Sequence, residues 1–408
     1  MVKIVRFALA LVALATISHA EWVAIGPDGG IVNALALDPQ NPATLYALPY
    51  EYPDNPRVFK TADGGAGWTS VGRLPDYNVN MLRVDPHQSS YLYGMTSSAV
   101  WRSTDGGASW ASYSFPASAM GIAADPLVPG RLFVSGYSFS TYPVPVVLIS
   151  TNYGQNWSAT TLDPDIGYSY CAAFDPTDTG TAYAGCANGL VFRTTDGGAH
   201  WVSASGGLPA TSSVQKLAVN SGNPDIVLAA ASDGVYRTTD AGGSWVRADE
   251  ITMAFDVALT AANPALAYCL GYDTLPCLYV STDSGETWVA QPGNVQQSKG
   301  GSLITDPSAG DVIYSPGAKG IMKTADRGAH WAGANTGIRI ATISTISSSP
   351  WDPRHVYLEC YQNGMFRSTD AGTNWTRCED FLSCGAICGI GLAPGGGTDT
   401  VYALEGQG

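Results

Sequence analysis

The fold this sequence predicts is an all-β propeller of four-stranded antiparallel blades, and three observations predict it. The pattern Ser/Thr-x-Asp-x-Gly-x-x-Trp occurs eight times, from Thr61-Ala62-Asp63-Gly64-Gly65-Ala66-Gly67-Trp68 to Ser368-Thr369-Asp370-Ala371-Gly372-Thr373-Asn374-Trp375. Its third residues are Asp63, Asp105, Asn152, Asp196, Asp240, Asp283, Asp326 and Asp370, at intervals of 42, 47, 44, 44, 43, 43 and 44 residues. Such a period marks propellers and solenoids. Composition agrees: 13% charged residues, 47 Gly and 21 Tyr in 408 residues suit short strands and tight turns and leave little place for helix.

The first unit shows the order of elements. Val32 to Leu37 reads as a strand, Asp38-Pro39-Gln40-Asn41-Pro42 as a turn, Thr44 to Leu48 as a second strand, Val58 to Lys60 as a third and Trp68 to Val71 as a fourth. Four strands per period make one blade. The first turn recurs as Asp85-Pro86, Asp125-Pro126, Asp175-Pro176, Asn223-Pro224, Asn263-Pro264, Asp306-Pro307 and Asp352-Pro353, where Pro fixes φ and Asp or Asn bonds the backbone two residues on. The Asp-to-Trp box forms the turn between third and fourth strands: Asp accepts backbone N–H bonds, Gly permits positive φ and Trp packs between sheets. Asn152 still supplies an acceptor oxygen, so the third copy is expected to fold.

Eight repeats are therefore complete and a ninth is partial. It begins at Ile390-Gly391-Leu392-Ala393-Pro394 and reaches Thr400-Val401-Tyr402-Ala403-Leu404. At the other end Trp22-Val23-Ala24-Ile25 reads as a fourth strand lacking the first three. Either these fragments join to close one ring, or the chain is cut short. The expected organisation is a signal peptide over 1–20 and one propeller over 21–408. The signal reading rests on Lys3 and Arg6, the apolar run from Phe7 to Ile17, and Ser18-His19-Ala20 before a cleavage site at Glu21. That run is too short to span a bilayer, and an exported, secreted or periplasmic chain without membrane insertion is expected.

A formal net charge of -14 removes the attraction that nucleic acid requires. Lys60, Arg102, Arg193, Arg237, Lys323 and Arg367 each precede the Ser/Thr of a box, which commits them to the blade and not to a binding patch. Eight cysteines in an exported chain favour disulfides. Cys171 and Cys186 are symmetric about Asp178-Thr179, and Cys269 and Cys277 about Asp273, so a bridge across each hairpin is expected. Cys360, Cys378, Cys384 and Cys388 allow three pairings, with nearness favouring Cys378 to Cys384.

The repeat resembles the Asp-box, or BNR, repeat over essentially all of the mature chain. It is similar in this respect to the propellers of sialidases, xyloglucan-degrading endoglucanases, sortilin-type receptors and photosystem assembly factors. The resemblance implies a fold, and in those families the box is a structural turn; it does not fix an activity. Two departures bear on chemistry. The Arg-Ile-Pro motif and arginine cluster of a sialidase are absent from the early loops, which hold Arg57, Arg73 and Arg83. The Thr-Asp-x-Gly-Gly segment that the xyloglucan-degrading enzymes place after the second strand of the first blade is replaced by Tyr46-Ala47-Leu48-Pro49-Tyr50.

In a four-stranded antiparallel blade the first and third turns lie at one end, so Asp-Pro turns and boxes share a face. The opposite face holds the variable loops, where binding on a rigid scaffold resides. Those loops offer Tyr50, Tyr52, Asp76, Tyr77, Tyr137, Tyr142, Tyr168, Tyr170, Tyr272, Asp273, Glu359 and Tyr361 as candidate ligand contacts. A tyrosine ring presents a flat apolar surface to the C–H face of a sugar, and a carboxylate accepts from its hydroxyls. A carbohydrate polymer or another protein is the expected partner. The alternative is a glycoside hydrolase, which needs two carboxylates about 5 to 9.5 Å apart. The candidates are Glu51, Asp54, Asp163, Asp165, Asp249 and Glu250. Of five histidines, His19 leaves with the signal and His200 and His330 lie inside boxes, leaving His87 and His355, too few for a triad. The same shortage gives no metal set, so no metal or cofactor is expected, Ca²⁺ on loop carboxylates and carbonyls being the one cation left open.

Overall fold

A computed structural model describes residues 31–51, 54–139, 142–163, 167–248, 251–272, 276–291, 303–317, 320–335, 343–349, 352, 354–360, 364–370, 374–378, 386–395 and 398–406. Among them are eight four-stranded antiparallel sheets, a two-stranded sheet of Ala386–Gly395 with Thr398–Gly406, and no helix. Sheet one is a meander of Val32–Leu37, Leu45–Pro49, Arg57–Thr61 and Thr69–Arg73. The first strands of sheets two to eight are Met81–Val84, Ser118–Ala124, Ser169–Phe174, Val214–Val219, Met253–Leu259, Ile304–Thr305 and Ile343–Ser348.

Alternation along the second strands buries one residue set against the preceding sheet and the other against the following one, as Leu45 and Ala47 against Tyr46 and Leu48 show. Second strands are therefore mainly apolar, and Leu45–Pro49 and Val227–Ala231 are buried at every position. Tyr46, Tyr93, Tyr183, Tyr268 and Tyr314 are the largest fully buried side chains and hold equivalent places in five second strands. Basic residues preceding the boxes lie over these rings, with Lys60 5.3 Å from the Tyr46 centroid, Arg193 5.9 Å from Tyr183 and Lys323 5.1 Å from Tyr314. The expectation that these cations serve the blade holds.

Each box closes on itself. Asp105 Oδ1 accepts from Ser109 N at 2.9 Å and from Ser103 Oγ at 2.7 Å, and Ser103 Oγ accepts from Gly107 N at 2.8 Å. Asn152 Oδ1 accepts from Asn156 N at 2.9 Å, so the Asn copy makes the same turn. Two successive residues take positive φ, as Gly106 at 72° and Gly107 at 94° show. In four of the seven boxes described at this position the first of these is not glycine: Tyr153, Ala241, Ser284 and Arg327 sit between 57° and 61°. The box backbone then bonds the first turn of its own sheet, Gly64 N to Ala43 O, Gly106 N to Ser90 O and Gly197 N to Gly180 O, all at 2.9 Å. First turns and boxes thus share one face, as strand direction requires.

The first turn itself is offset from expectation in three sheets. Its corner residue donates its N–H to the carbonyl six residues on, as in Asp38 to Thr44, Asp85 to Tyr91 and Asp125 to Arg131. In sheets five, six and eight that residue is Asn220, Thr260 and Ser349, bonded to Ile226, Leu266 and His355. Asn223, Asn263 and Asp352 lie three residues later, at the position of Asn41. The turn admits an Asx-Pro pair at either place.

The packed circuit closes after seven sheets. Consecutive first strands of sheets one to seven touch, and the first strand of sheet seven returns to that of sheet one. Three bonds at this seam repeat bonds made between neighbours elsewhere. Lys323 Nζ donates to Gly64 O at 2.9 Å, as Arg102 Nη1 does to Tyr153 O and Arg237 Nε to Ser284 O. Tyr314 donates to Gly64 O as Tyr183 does to Ala241 O. Trp68 Nε1 donates to Ala334 O as Trp245 Nε1 does to Ala204 O. A single core joins Val32, Leu35, Leu45, Phe59 and Trp68 of sheet one to Tyr314, Ile321 and Ala334. The eighth sheet packs instead on the Ala386–Gly395 strand. Described residues of sheets one and seven form this seam, and the fragment at residues 22–25 lies outside the described residues.

The expected hairpin disulfides are absent: Cys171, Cys186 and Cys269 are free thiols, and so is Cys378. Register explains the first pair. A bulge between Ser169 and Cys171 sets Cys171 opposite Gly185 and Ser169 opposite Cys186, which turns the two thiols to different faces. Cys269 stands opposite Tyr279 and Cys277 opposite Gly271, a diagonal of two residues. Cys384 lies outside the described residues.

Candidate functional site

The face opposite the boxes is shaped by sheet three. Its second and third strands, Leu132–Phe139 and Pro143–Ser150, are eight residues each, against four to six in the second strands of the other ring sheets. The hairpin therefore rises beyond its neighbours. Tyr137 lies near its end, opposite Pro145 and Ser118, and Tyr142 follows at its tip, 78% exposed.

The adjoining link into sheet four brings Tyr168 to Tyr137. Their rings meet edge to face at a centroid distance of 4.9 Å, and Tyr168 stacks on Tyr170 at 6.1 Å. Two features hold this trio. Tyr168 O accepts from Ala187 N at 3.0 Å, tying the link to sheet four. Tyr170 is the extra residue of the bulge between Ser169 and Cys171, and bulges re-aim a side chain out of the ladder. The neighbouring first strand passes so near that a Cβ on Gly121 would lie 2.6 Å from Tyr170 O, which explains glycine there.

The remaining candidates spread round the same face. Tyr50 and Tyr77 are 42% and 47% exposed in sheet one and the link after it. Asp76 Oδ1 accepts from Asn78 N at 2.9 Å and shapes that link. Tyr272 ends the second strand of sheet six opposite Met253. Beside it stands Phe255, which sequence reasoning missed; it is the bulge residue of its strand, equivalent to Tyr170, and with Met253 it is about 40% exposed. Aligning the first strands by their corner residues would have found it. Glu359 stands opposite Thr345 in sheet eight, apart from the ring. Tyr52, Asp273 and Tyr361 lie outside the described residues.

Among the carboxylate candidates, Glu51 is already engaged. Its Oε1 accepts from Arg57 Nε at 2.7 Å and Arg57 Nη2 lies 2.6 Å away, while Arg57 N donates to Oε2 and Arg73 sits 3.9 Å off. A carboxylate with a 10% exposed side chain, held between two guanidinium groups, orders its own loop. Asp54 is exposed and Asp163 half-buried, and Asp165, Asp249 and Glu250 lie outside the described residues.

On the box face a groove of about 480 Å³ opens at the seam, lined by Asp63, Gly64, Lys323, Asp326, His330 and Trp331 among others. Its charged groups are spent within the scaffold: Asp63 on Thr61 and Gly67, Asp326 on Thr324 and His330, Lys323 on Gly64. Hydrogen bonds from Ser109 lower the Asp105 carboxyl to about 2, and those from Thr238 and His330 bring Asp240 and Asp326 to about 2. These are carboxylates fixed as acceptors, unsuited to taking up a proton near neutrality.

Comparison with known proteins agrees with this architecture. The family model "Sortilin, neurotensin receptor 3" matches residues 146–275. A xyloglucanase of Hypocrea jecorina is 27% identical over 188 residues, 36% of this chain and 22% of that protein, so the match spans about a fifth of the relative's length. Among solved structures, the GH74 xyloglucanase of Xanthomonas campestris has a TM-score of 0.61 at 15% identity, covering 90% of this chain and 70% of that one. An ancestral GH74 enzyme reaches 0.67 at 16%, covering 93% and 59%. YCF48 of Cyanidioschyzon merolae reaches 0.53 at 16%, covering 74% and 96%. The repeats, the radial sheets and these likenesses together make this chain a β-propeller of the Asp-box, or BNR, type.

Proposed function

We propose that this chain is an exported propeller that binds a carbohydrate polymer on the face opposite its boxes, with sugar rings laid on the Tyr137, Tyr168 and Tyr170 cluster. That cluster carries the reading. Three rings from two neighbouring blades are fixed by a long hairpin, a bulge and a backbone bond, which keeps the ordering cost of binding low. Tyr142 and, further round, Tyr272 and Phe255 extend the aromatic surface. Export is supported by the charged and apolar pattern of residues 1–20.

A second reading, glycoside hydrolysis, is favoured by the xyloglucanase relative. It then falls to Asp54 and Asp163, and to the undescribed Asp165, Asp249 and Glu250, since Glu51 is tied to Arg57. Affinity electrophoresis of the purified chain through a panel of plant and bacterial polysaccharides, with product analysis, separates the readings. Retardation without cleavage is the expected outcome, and product release would establish the hydrolase. A chain that neither binds nor cleaves would contradict both and leave a protein partner.

A further inference from the structure

The seven first strands that touch in a circle enclose the axis of the ring. Counting back from each corner residue, the second position is Ala36, Ala123, Ala173, Ala218, Ala258 or Ile304 in six sheets, and Arg83 in sheet two. The fourth position is Ala34, Met81, Gly121 or Cys171 in sheets one to four, but Lys216 in sheet five and Asp256 in sheet six. Among seven, sheet two lies across the circle from sheets five and six, which sets the strand position of Arg83 opposite those of Lys216 and Asp256.

The charges there do not balance. Asp256, 3% exposed, bridges its two neighbours: Oδ2 accepts from Leu303 N of sheet seven at 2.7 Å, and Oδ1 lies 3.7 Å from Lys216 Nζ of sheet five. Oδ1 has no hydrogen-bond donor. Arg83 Nη1 donates to Leu82 O, a neutral acceptor, at 2.8 Å. Burial lowers the Arg83 pKa and the Asp256 charge opposes that fall, so the two groups sense each other. The Cys171 thiol nearby is pushed up to about 12 by burial and stays neutral. Among the described residues two cations therefore share one carboxylate, and that carboxylate has an oxygen lacking a hydrogen-bond donor.

We propose that a small protonated oxyanion of the hydrogen-phosphate class binds within the circle of first strands, gripped by Arg83 and Lys216 and donating its hydroxyl to Asp256 Oδ1. The anion neutralises the excess positive charge, and its hydroxyl satisfies the orphaned acceptor, which is costly when left buried. This site lies inside the ring and is independent of the glycan reading.

Titration calorimetry of the full chain with inorganic phosphate at neutral pH tests it, alongside melting curves over the same concentrations. One saturable site and a rising melting temperature are expected. Arg83→Met should weaken binding about tenfold through loss of a charge-assisted bond, with an unchanged circular dichroism spectrum. Lys216→Met should weaken it similarly and decides the matter if the first variant does not fold. Sulfate, which carries no proton at that pH, should bind less tightly. Absence of both heat and stabilisation with phosphate, wild-type affinity in both folded variants, or sulfate affinity equal to that for phosphate would each overturn the proposal.

Discussion

Trp68 donates its indole N–H to the carbonyl of Ala334 at 2.8 Å, joining residues 266 positions apart. Both groups are buried, and the bond repeats that of Trp245 to Ala204 between sheets four and five. The seam thus uses the same contact as an ordinary blade boundary. Trp110, by contrast, bonds Gly107 within its own box at 3.1 Å.

Trp68→Phe leaves the Ala334 carbonyl buried without its donor and is expected to cost about 1–3 kcal/mol in denaturant unfolding. Hydrogen exchange should rise in sheets one and seven together. Trp110→Phe should loosen sheet two and its immediate neighbours. Exchange confined to sheet one in Trp68→Phe would contradict closure at this seam.

Acid stability should follow the boxes. The depressed carboxyls of Asp105, Asp240 and Asp326 release protons on folding, so their contribution is present above their ordinary value of 3.8 and is lost as pH falls towards about 2. Solvent screens these exposed groups, and the slope per group is shallow. Asp105→Asn should fold, as the Asn152 copy does, and should flatten the melting temperature between pH 4 and 2 relative to wild type. An unchanged slope in that variant would contradict the assignment.

Ala241 holds φ at 57° where three other copies have glycine at 68° to 75°. Left-handed backbone costs a non-glycine residue about 1 kcal/mol, and the lost methyl returns part of it, so Ala241→Gly is expected to stabilise by about 0.5 kcal/mol. Chemical denaturation checks this, and a loss of stability would contradict it.

Cys171 and Cys186 are buried thiols pushed up to about 12 by desolvation, and Cys269 is raised well above its ordinary value for the same reason. Unreduced protein should react slowly with a thiol reagent when folded and should expose these three thiols in guanidinium. Finding them blocked in denaturant would restore the hairpin bridges.

What was legible in the sequence was local. Asp63 and Gly67 are four residues apart, so the box reads directly as a turn, and the continuous apolar run of Leu45, Tyr46 and Ala47 reads as a buried strand. The seam was not legible, because Trp68 and Ala334 are joined only by how far seven blades rotate. Bulges hid a second class of fact: one extra residue at Tyr170 both separates Cys171 from Cys186 and aims the tyrosine outward. The meeting of Tyr137 with Tyr168 needed the length of the sheet-three hairpin, while Tyr137 and Tyr168 as separate candidates were already visible on the variable face. Arg83 was visible as an arginine but became anomalous only beside the alanines of the other first strands.

The central claim is that boxes build and the opposite face binds, and one pair of variants tests it most directly. Asp196 bonds His200 and Thr194 inside its box, whereas Tyr168 joins Tyr137 and Tyr170. Affinity electrophoresis through the best-retained polysaccharide is the measurement, with folding checked by circular dichroism. Tyr168→Ala should lose retardation by about tenfold in affinity at nearly unchanged melting temperature, as removal of a stacking ring predicts, and Asp196→Ala should melt lower yet bind as wild type. Folded Asp196→Ala that no longer binds, beside Tyr168→Ala that does, would contradict the account.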